Sequence, residues 1–318
     1  MTGAQHLRPL GRTGLEVSPI TLGGAPLGSM PENFGYEVAE RDAVDLVRAV
    51  LDSGIRSIDT ANGYSEGRSE QRIGLAIAES GGLPEDALVI TKVDQADGDY
   101  SGARVAASLA ESRQRLGLDH LPLVHLHDPE FHGFAEITGP GGAVEALVAA
   151  RTRGEVGRIG LAGGDVREMA RYMDLGVFDA LLVHNRWTLV DRSAGALIEE
   201  ATRRGMGVLN AAVLGGGVLA GSVRRTDQYG YRTAPQAVLD AVDAMHEVCR
   251  AHGTDLGSAA VRFSTRDPRV HSTVVGFSRI ERIASTLAAA DLDLPEAFWA
   301  ELEALLPAPE HWLDAGTR

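Results

Sequence analysis

Leu88-Val89-Ile90-Thr91-Lys92-Val93, a helical run from Gly102 to Leu116, and then Leu123-Val124-His125-Leu126-His127 form the stretch from which the fold follows. Two short apolar, β-branched runs flank a longer segment whose apolar positions recur at helical spacing, the pattern of a parallel βαβ unit. The alternation continues in both directions. Strands are predicted at Ile20 to Gly24, Arg56 to Thr60, Leu88 to Val93, Leu123 to His127, Arg158 to Ala162, Ala180 to His184, Gly207 to Ala211 and Ser272 to Gly276. Helices are predicted, among others, over Glu40 to Asp52, Ser69 to Glu79, Gly102 to Leu116, Gly142 to Arg153, Ser193 to Arg204 and Arg279 to Ala289. Eight such pairs predict an α/β fold, a (β/α)8 TIM barrel, in one domain over residues 1–318, because a barrel of this kind uses roughly 250 residues as a unit.

Outside the repeat, Leu10-Gly11-Arg12-Thr13-Gly14-Leu15 places two glycines in a tight reversal, which predicts an N-terminal β-hairpin capping the barrel floor. Asp255 to Arg266 and the C-terminal Pro295 to Leu306 read as extra helices on the barrel wall. The segments Pro129 to Gly142 and Gly215 to Pro235 read as long loops at the end where the strands finish, and loops of that length are usually functional.

Composition narrows the function. The chain is 44% hydrophobic and 23% charged with a net charge of −14, so a sizeable core is available and a basic surface for nucleic acid or anionic membrane is not. No run of about eighteen apolar residues occurs, and the N-terminal MTGAQHLRPLG lacks the apolar core of a signal peptide, which predicts a cytoplasmic protein. Cys249, the single cysteine, has no partner for a disulfide and reads as a buried thiol. No partner protein is indicated; the expected partner is a small molecule.

In such a barrel the reactive groups close the strands. Strand two ends at Asp59 and runs on through Ala61-Asn62-Gly63 to Tyr64, strand three ends at Lys92, and strand four ends at His127. Oxidising an alcohol or reducing a carbonyl by hydride transfer needs a group that exchanges a proton with the substrate oxygen. Tyr64 suits that role if a cation offsets its ordinary pKa of about 10. Lys92 is placed to be that cation, Asp59 to hold Lys92 charged, and His127 to orient and polarise the substrate oxygen. Each residue taken alone also has a plainer reading: a helix cap, a barrel-closing ring, a solvent-reaching amine. The four together, on consecutive strands, point to a reaction centre. Gly215-Gly216-Gly217, following Leu214, can bring backbone N–H groups close to a pyrophosphate, or serve as loop punctuation. Ser278, Arg279 and Arg282 can hold a 2′-phosphate, or stand in water at a helix start.

With Leu10-Gly11-Arg12-Thr13-Gly14, Ile58-Asp59-Thr60-Ala61-x-x-Tyr64, Thr91-Lys92, His127-x-Pro129 and Leu214-Gly215-Gly216-Gly217, the chain resembles the aldo-keto reductase family over nearly its whole length. The resemblance implies the same barrel, Asp59, Tyr64, Lys92 and His127 at the catalytic positions with Tyr64 as general acid/base, and a nicotinamide cofactor, NADP favoured over NAD. The family's Ser-Asn after strand five, Gln on strand six and stacking aromatic on strand seven are replaced by Ala162-Gly163-Gly164, His184 and Ala211, so the carboxamide is assigned to His184 and backbone groups. His184-Asn185-Arg186-Trp187-Thr188-Leu189 and Leu209-Asn210-Ala211-Ala212 look like the branch of aldose dehydrogenases acting on L-fucose, D-arabinose or L-galactose, with pyridoxal dehydrogenases also similar. A sugar or aldehyde substrate is implied, with Trp187 as a contact. A general NADPH-dependent aldehyde or ketone reductase is the alternative within the family. Two readings lie outside it. A metal-dependent hydrolase would use His125, His127 and His184, but Lys92 beside the site argues against a metal and none is expected. A cofactor-sensing subunit without turnover is the other, and the intact set of four argues against it.

Overall fold

The computed structural model describes residues 7–31 and 35–316; residues 1–6 of the stretch read for a signal peptide lie outside the described residues. Eight parallel strands close a barrel: β1 (Ile20–Gly23), β2 (Ser57–Asp59), β3 (Leu88–Val93), β4 (Leu121–His127), β5 (Val156–Gly163), β6 (Ala180–His184), β7 (Gly207–Ala211) and β8 (Ser272–Gly276). Each pairs with the next, and β8 returns to β1 through Thr273↔Ile20 to Gly276↔Gly23. All eight were predicted, with ends displaced by no more than a few residues.

Local signals set the helices. The helix Gly102–Leu116 starts at Ser101, whose hydroxyl accepts the Arg104 N–H, and stops at Gly117, which adopts a left-handed φ of 68°. A helix not singled out from sequence, Val166–Met173, begins at Asp165, whose carboxylate accepts the N–H groups of Arg167 and Glu168. Gly74, inside the helix Arg68–Glu79, faces the carbonyl of Arg115 so closely that a Cβ would overlap it. Gly74→Ala is therefore expected to cost about 1–3 kcal/mol, read as a lower urea midpoint with unchanged m value, because neither backbone can yield without moving its helix.

The hairpin of Arg8–Pro9 and Glu16–Val17 forms as predicted, with Leu10 N–H donating to Leu15 at 2.8 Å. Leu10 and Val17 are fully buried against Leu88, Ile90, Leu123, Leu182 and Leu209, so the hairpin plugs the barrel floor. The outer layer differs from the sequence reading in three places. The helix Leu256–Thr265 is part of the barrel wall: Ser264 Oγ lies 2.9 Å from Asn210 Nδ2 of β7 and 2.7 Å from Thr273 Oγ1 of β8. The added layer is Gln236–Ala251 together with the C-terminal helix Glu296–Ala304, which was anticipated; the two share a separate apolar cluster around Val242, Met245 and Phe298. Cys249 is buried there, its thiol pushed up to about 12 by burial. Neither long loop is structureless: a short helix, Phe134–Thr138, occupies the first and a hairpin, Gln228–Tyr229 with Arg232–Thr233, the second. No helix among the described residues is long and apolar enough to cross a membrane.

Candidate active site

A cleft of about 540 Å³ opens where the strands end, and Asp59, Tyr64, Lys92 and His127 all line it. Their arrangement follows from strand alternation: Asp59 and Lys92 point inward at the last turns of β2 and β3, and Tyr64 returns to the mouth on the loop after β2. That loop is held firmly. Asn62 donates to Glu111 at 3.0 Å, Arg115 donates to the Asn62 carbonyl at 3.0 Å, and Ser65 and Glu66 sit at left-handed φ of 51° and 58°. Non-glycine residues adopt such angles only where surrounding contacts enforce them.

Lys92 is 1% exposed and has three acceptors for its three protons: Asp59 Oδ2 at 2.7 Å, the Thr60 carbonyl at 2.7 Å and the Tyr64 hydroxyl at 3.1 Å. Because Tyr64 accepts from Lys92, its own proton is directed elsewhere. Burial, with the Asp59, Asp128 and Asp94 carboxylates adding to it, pushes the Tyr64 hydroxyl well above its ordinary value. The expectation that Lys92 would favour the phenolate is thus corrected: without ligand Tyr64 is a neutral phenol, since one cation does not offset burial and three carboxylates. Burial also pushes the Asp59 carboxyl up, and Lys92 opposes it.

His127 stands edge-on to Tyr64, ring centroids 5.5 Å apart. Burial works against its charge, but Asp94, 2.6 Å from Nδ1, and Asp128, 3.8 Å from Nε2, outweigh it and the histidine is held above its ordinary value. His184 lines the cleft too, its Nε2 3.6 Å from Asp128 Oδ1. His125, two residues deeper in β4, is fully buried against Gly160, where burial holds it well below its ordinary value, and it is a core residue with no well-aligned hydrogen bond. The histidines of the hydrolase alternative therefore do not converge. Among the described residues one trio of potential metal ligands does come together, Asp128, Glu130 and His184, within 4.8 Å. Its members have protein work: Glu130 Oε1 accepts the N–H groups of Gly164 at 2.5 Å and Asp165 at 3.2 Å, and Asp128 faces both histidines.

That contact also accounts for the glycines after β5. A Cβ at Gly163 would strike Glu130 and the Met169 sulfur, and one at Gly164 would strike Arg186 and His184, so the space belongs to side chains from other strands. Leu214, Gly216 and Gly217 line the cleft, whereas Gly215 packs beneath the Tyr229 ring. The N–H groups of Gly215 and Gly217 close turns on the carbonyls of Ala212 and Leu214, and a Cβ at Gly216 would stand in open space. Ser278, Arg279 and Arg282 line a second depression that shares Tyr36 and Gly276 with the cleft, and Arg225 joins them from the loop after β7.

Trp187 is misplaced by the sequence reading. It packs against Phe263, ring centroids 5.7 Å apart, under the guanidinium groups of Arg192 and Arg269, away from the cleft lining. Tyr231, 60% exposed and carried by the second-loop hairpin, lines the mouth where Trp187 does not. Arg232 of the same hairpin donates to the Leu313 carbonyl at 2.6 Å, which pins it to the C-terminal segment. Tyr229 is buried, its hydroxyl bonded to the Asn185 carbonyl and to Thr188. Phe134 packs on Tyr172, whereas Phe131 is 78% exposed. Sequence reasoning missed Asp128, which lines the cleft, and Asp94, which contacts His127 from outside that lining. Asp94 had a signal: it lies two residues after Lys92, on the same face of an extended segment.

A closed parallel barrel with this lysine, tyrosine, aspartate and histidine cluster at its mouth is the setting in which a match to a family model covering residues 19–307, described as the aldo/keto reductase family, has to be read: the chain belongs to that family and is an NAD(P)-dependent oxidoreductase. It is 29% identical to a pyridoxal 4-dehydrogenase from Microbacterium luteolum, over 94% of this chain and 97% of that protein. It is 30% identical to a D-threo-aldose 1-dehydrogenase from a Pseudomonas species, over 93% and 97%. The holo form of an aldo-keto reductase from Bacillus halodurans shares the fold with a TM-score of 0.79 at 20% identity, over 98% of this chain and 99% of that one.

Proposed function

We propose that this enzyme oxidises the anomeric carbon of an aldose hemiacetal of the L-fucose, D-arabinose or L-galactose type to a lactone, with Tyr64 as general acid/base. The observation that carries the reading is the Tyr64 hydroxyl, which lines the cleft and accepts from Lys92 Nζ at 3.1 Å. In the reductive direction the Tyr64 phenol donates its proton to the carbonyl oxygen; in the oxidative direction Tyr64 first gives that proton to solvent and, as a phenolate beside Lys92, takes the hydroxyl proton of the hemiacetal. His127 donates from Nε2 to the same oxygen and fixes its position. Asp59 holds Lys92 in place through their 2.7 Å pair, and Asp128 and Tyr231 offer polar contacts to sugar hydroxyls.

The cleft suits a nicotinamide dinucleotide. Gly216 leaves open space for a pyrophosphate, and Ser278, Arg279, Arg282 and Arg225 gather cationic and hydroxyl groups for the adenosine end, which favours NADP over NAD. His184 is assigned to the carboxamide. When bound, the cofactor accepts or supplies the hydride. The family match over residues 19–307 supports reading the chain as one domain.

The relative that is a pyridoxal 4-dehydrogenase, and the neutral state of Tyr64, which suits a proton donor, support a second reading in which pyridoxal is oxidised or an aldehyde or ketone is reduced. The absorbance of reduced nicotinamide decides among them, with NAD or NADP offered with L-fucose, D-arabinose, L-galactose and pyridoxal, and NADPH with simple aldehydes. Turnover of one of the sugars is the expected result. Turnover confined to pyridoxal or to aldehydes selects the second reading, and silence throughout removes the catalytic one.

A further inference from the structure

We infer that Asp94 is a positioning residue that couples the two proton-handling side chains of this site, holding His127 as an imidazolium and clamping the backbone that delivers Tyr64. The inference rests on the reading of Tyr64 and His127 given above.

The placement is set by barrel register. β3 and β4 pair Lys92 with His125 and Val93 with Leu126, so the next residues along, Asp94 and His127, come opposite one another just past the hydrogen-bonded ladder. One carboxylate oxygen of Asp94 lies 2.6 Å from His127 Nδ1 and the other accepts the Gly63 N–H at 2.6 Å. Gly63 immediately precedes Tyr64, and a Cβ there would press against the Asp94 carboxyl at 3.0 Å, so the absence of a side chain permits the approach. The His127 backbone is fixed separately, its N–H donating to the Tyr100 hydroxyl at 2.9 Å.

The chemical consequence lies at the other ring nitrogen. With Nδ1–H held by Asp94, a neutral His127 would present a lone pair at Nε2 to the substrate oxygen, whereas an imidazolium presents a donor. A donor stabilises the negative charge that gathers on that oxygen in either direction of hydride transfer; a lone pair repels it. The groups facing His127 are Asp94 and Lys92 from β3 and its end, Tyr64 and Asp59 from the β2 side, Asp128 on its own strand, and His184 beyond Asp128. Two carboxylates flank the ring closely, against one ammonium that is already matched by Asp59.

The test is Asp94→Asn in the full-length enzyme, read first by NMR titration of the His127 Cε1–H, assigned with His127→Asn, in the absence of any substrate. We expect His127 to titrate above the ordinary histidine value of about 6.5 in the parent and roughly one unit or more lower in the variant. Asp94→Glu, which keeps the charge, is expected to restore most of the elevation and covers the case in which the asparagine variant folds poorly. The second readout is the pH dependence of kcat/KM for 4-nitrobenzaldehyde reduction with NADPH. In Asp94→Asn the alkaline limb moves to lower pH, so activity falls about tenfold or more at pH 8 and much less at pH 6. An unchanged His127 titration overturns the inference, and so does an activity loss equal at every pH, which would reduce Asp94 to a clamp on Gly63. The titration needs no turnover, so it stands apart from the substrate panel and from Tyr64→Phe, whose failures would instead remove the catalytic reading.

Discussion

Tyr64→Phe is expected to lower kcat by about 10²–10⁴-fold, the range for losing a positioned general acid or base, while leaving cofactor affinity within a few-fold of the parent. The ring stays, and with it the contact in which Lys92 Nζ lies 4.6 Å from the ring centroid. Only the hydroxyl is removed, and with it the group that accepts from Lys92. Paired measurements of turnover and of dinucleotide binding by fluorescence titration separate chemistry from binding. Near-normal turnover in the variant would assign proton transfer to another group, with His127 first in line.

Lys92→Met is expected to be the most destabilising single change in the site. It leaves Asp59, 3% exposed and with Oδ1 already lacking a partner, as a buried carboxylate without its cation, a loss of about 3–5 kcal/mol. The defect has a pH signature. With Lys92 gone, burial is opposed by His127 but no longer by Lys92, and the Asp59 pKa rises further above the unfolded value of about 3.9. A carboxyl whose folded pKa is raised contributes its stability below the unfolded pKa and loses it as pH rises toward the folded one, so the variant falls behind the parent increasingly between about pH 4 and neutrality. The double variant Lys92→Met with Asp59→Asn removes the orphaned charge and is expected to recover part of the loss. Urea unfolding of the four proteins in the cycle, at acid and neutral pH, measures both effects. Equal destabilisation at the two pH values would mean that lost packing of the lysine stem, and not the charge, dominates.

Most of the scaffold was legible in the chain because its signals are local. Strand runs such as Leu88 to Val93, the cap at Ser101 and the glycine at Gly117 act within a few residues of themselves, and the eightfold alternation left one closed solution. Asp59, Tyr64, Lys92 and His127 were legible for a related reason: residues at consecutive strand ends meet at the mouth of a barrel whatever the details of closure. Trp187 failed as a substrate contact because an aromatic near the mouth can turn outward to Phe263 as readily as inward, and nothing in its neighbours reports the rotation.

What the sequence by itself determined, then, is the order of strands, the hairpin beneath them and the four residues at their ends, since periodicity and strand polarity specify all of these locally. Only the tertiary structure decided which charges meet: Asp94 with His127 through the β3–β4 register, Glu130 with the N–H groups at Gly164 and Asp165, and Asp128 between two histidines. Those pairs join residues from different strands, and a pKa or an orientation at this site depends on angstrom-scale separations that exist only once the barrel has closed.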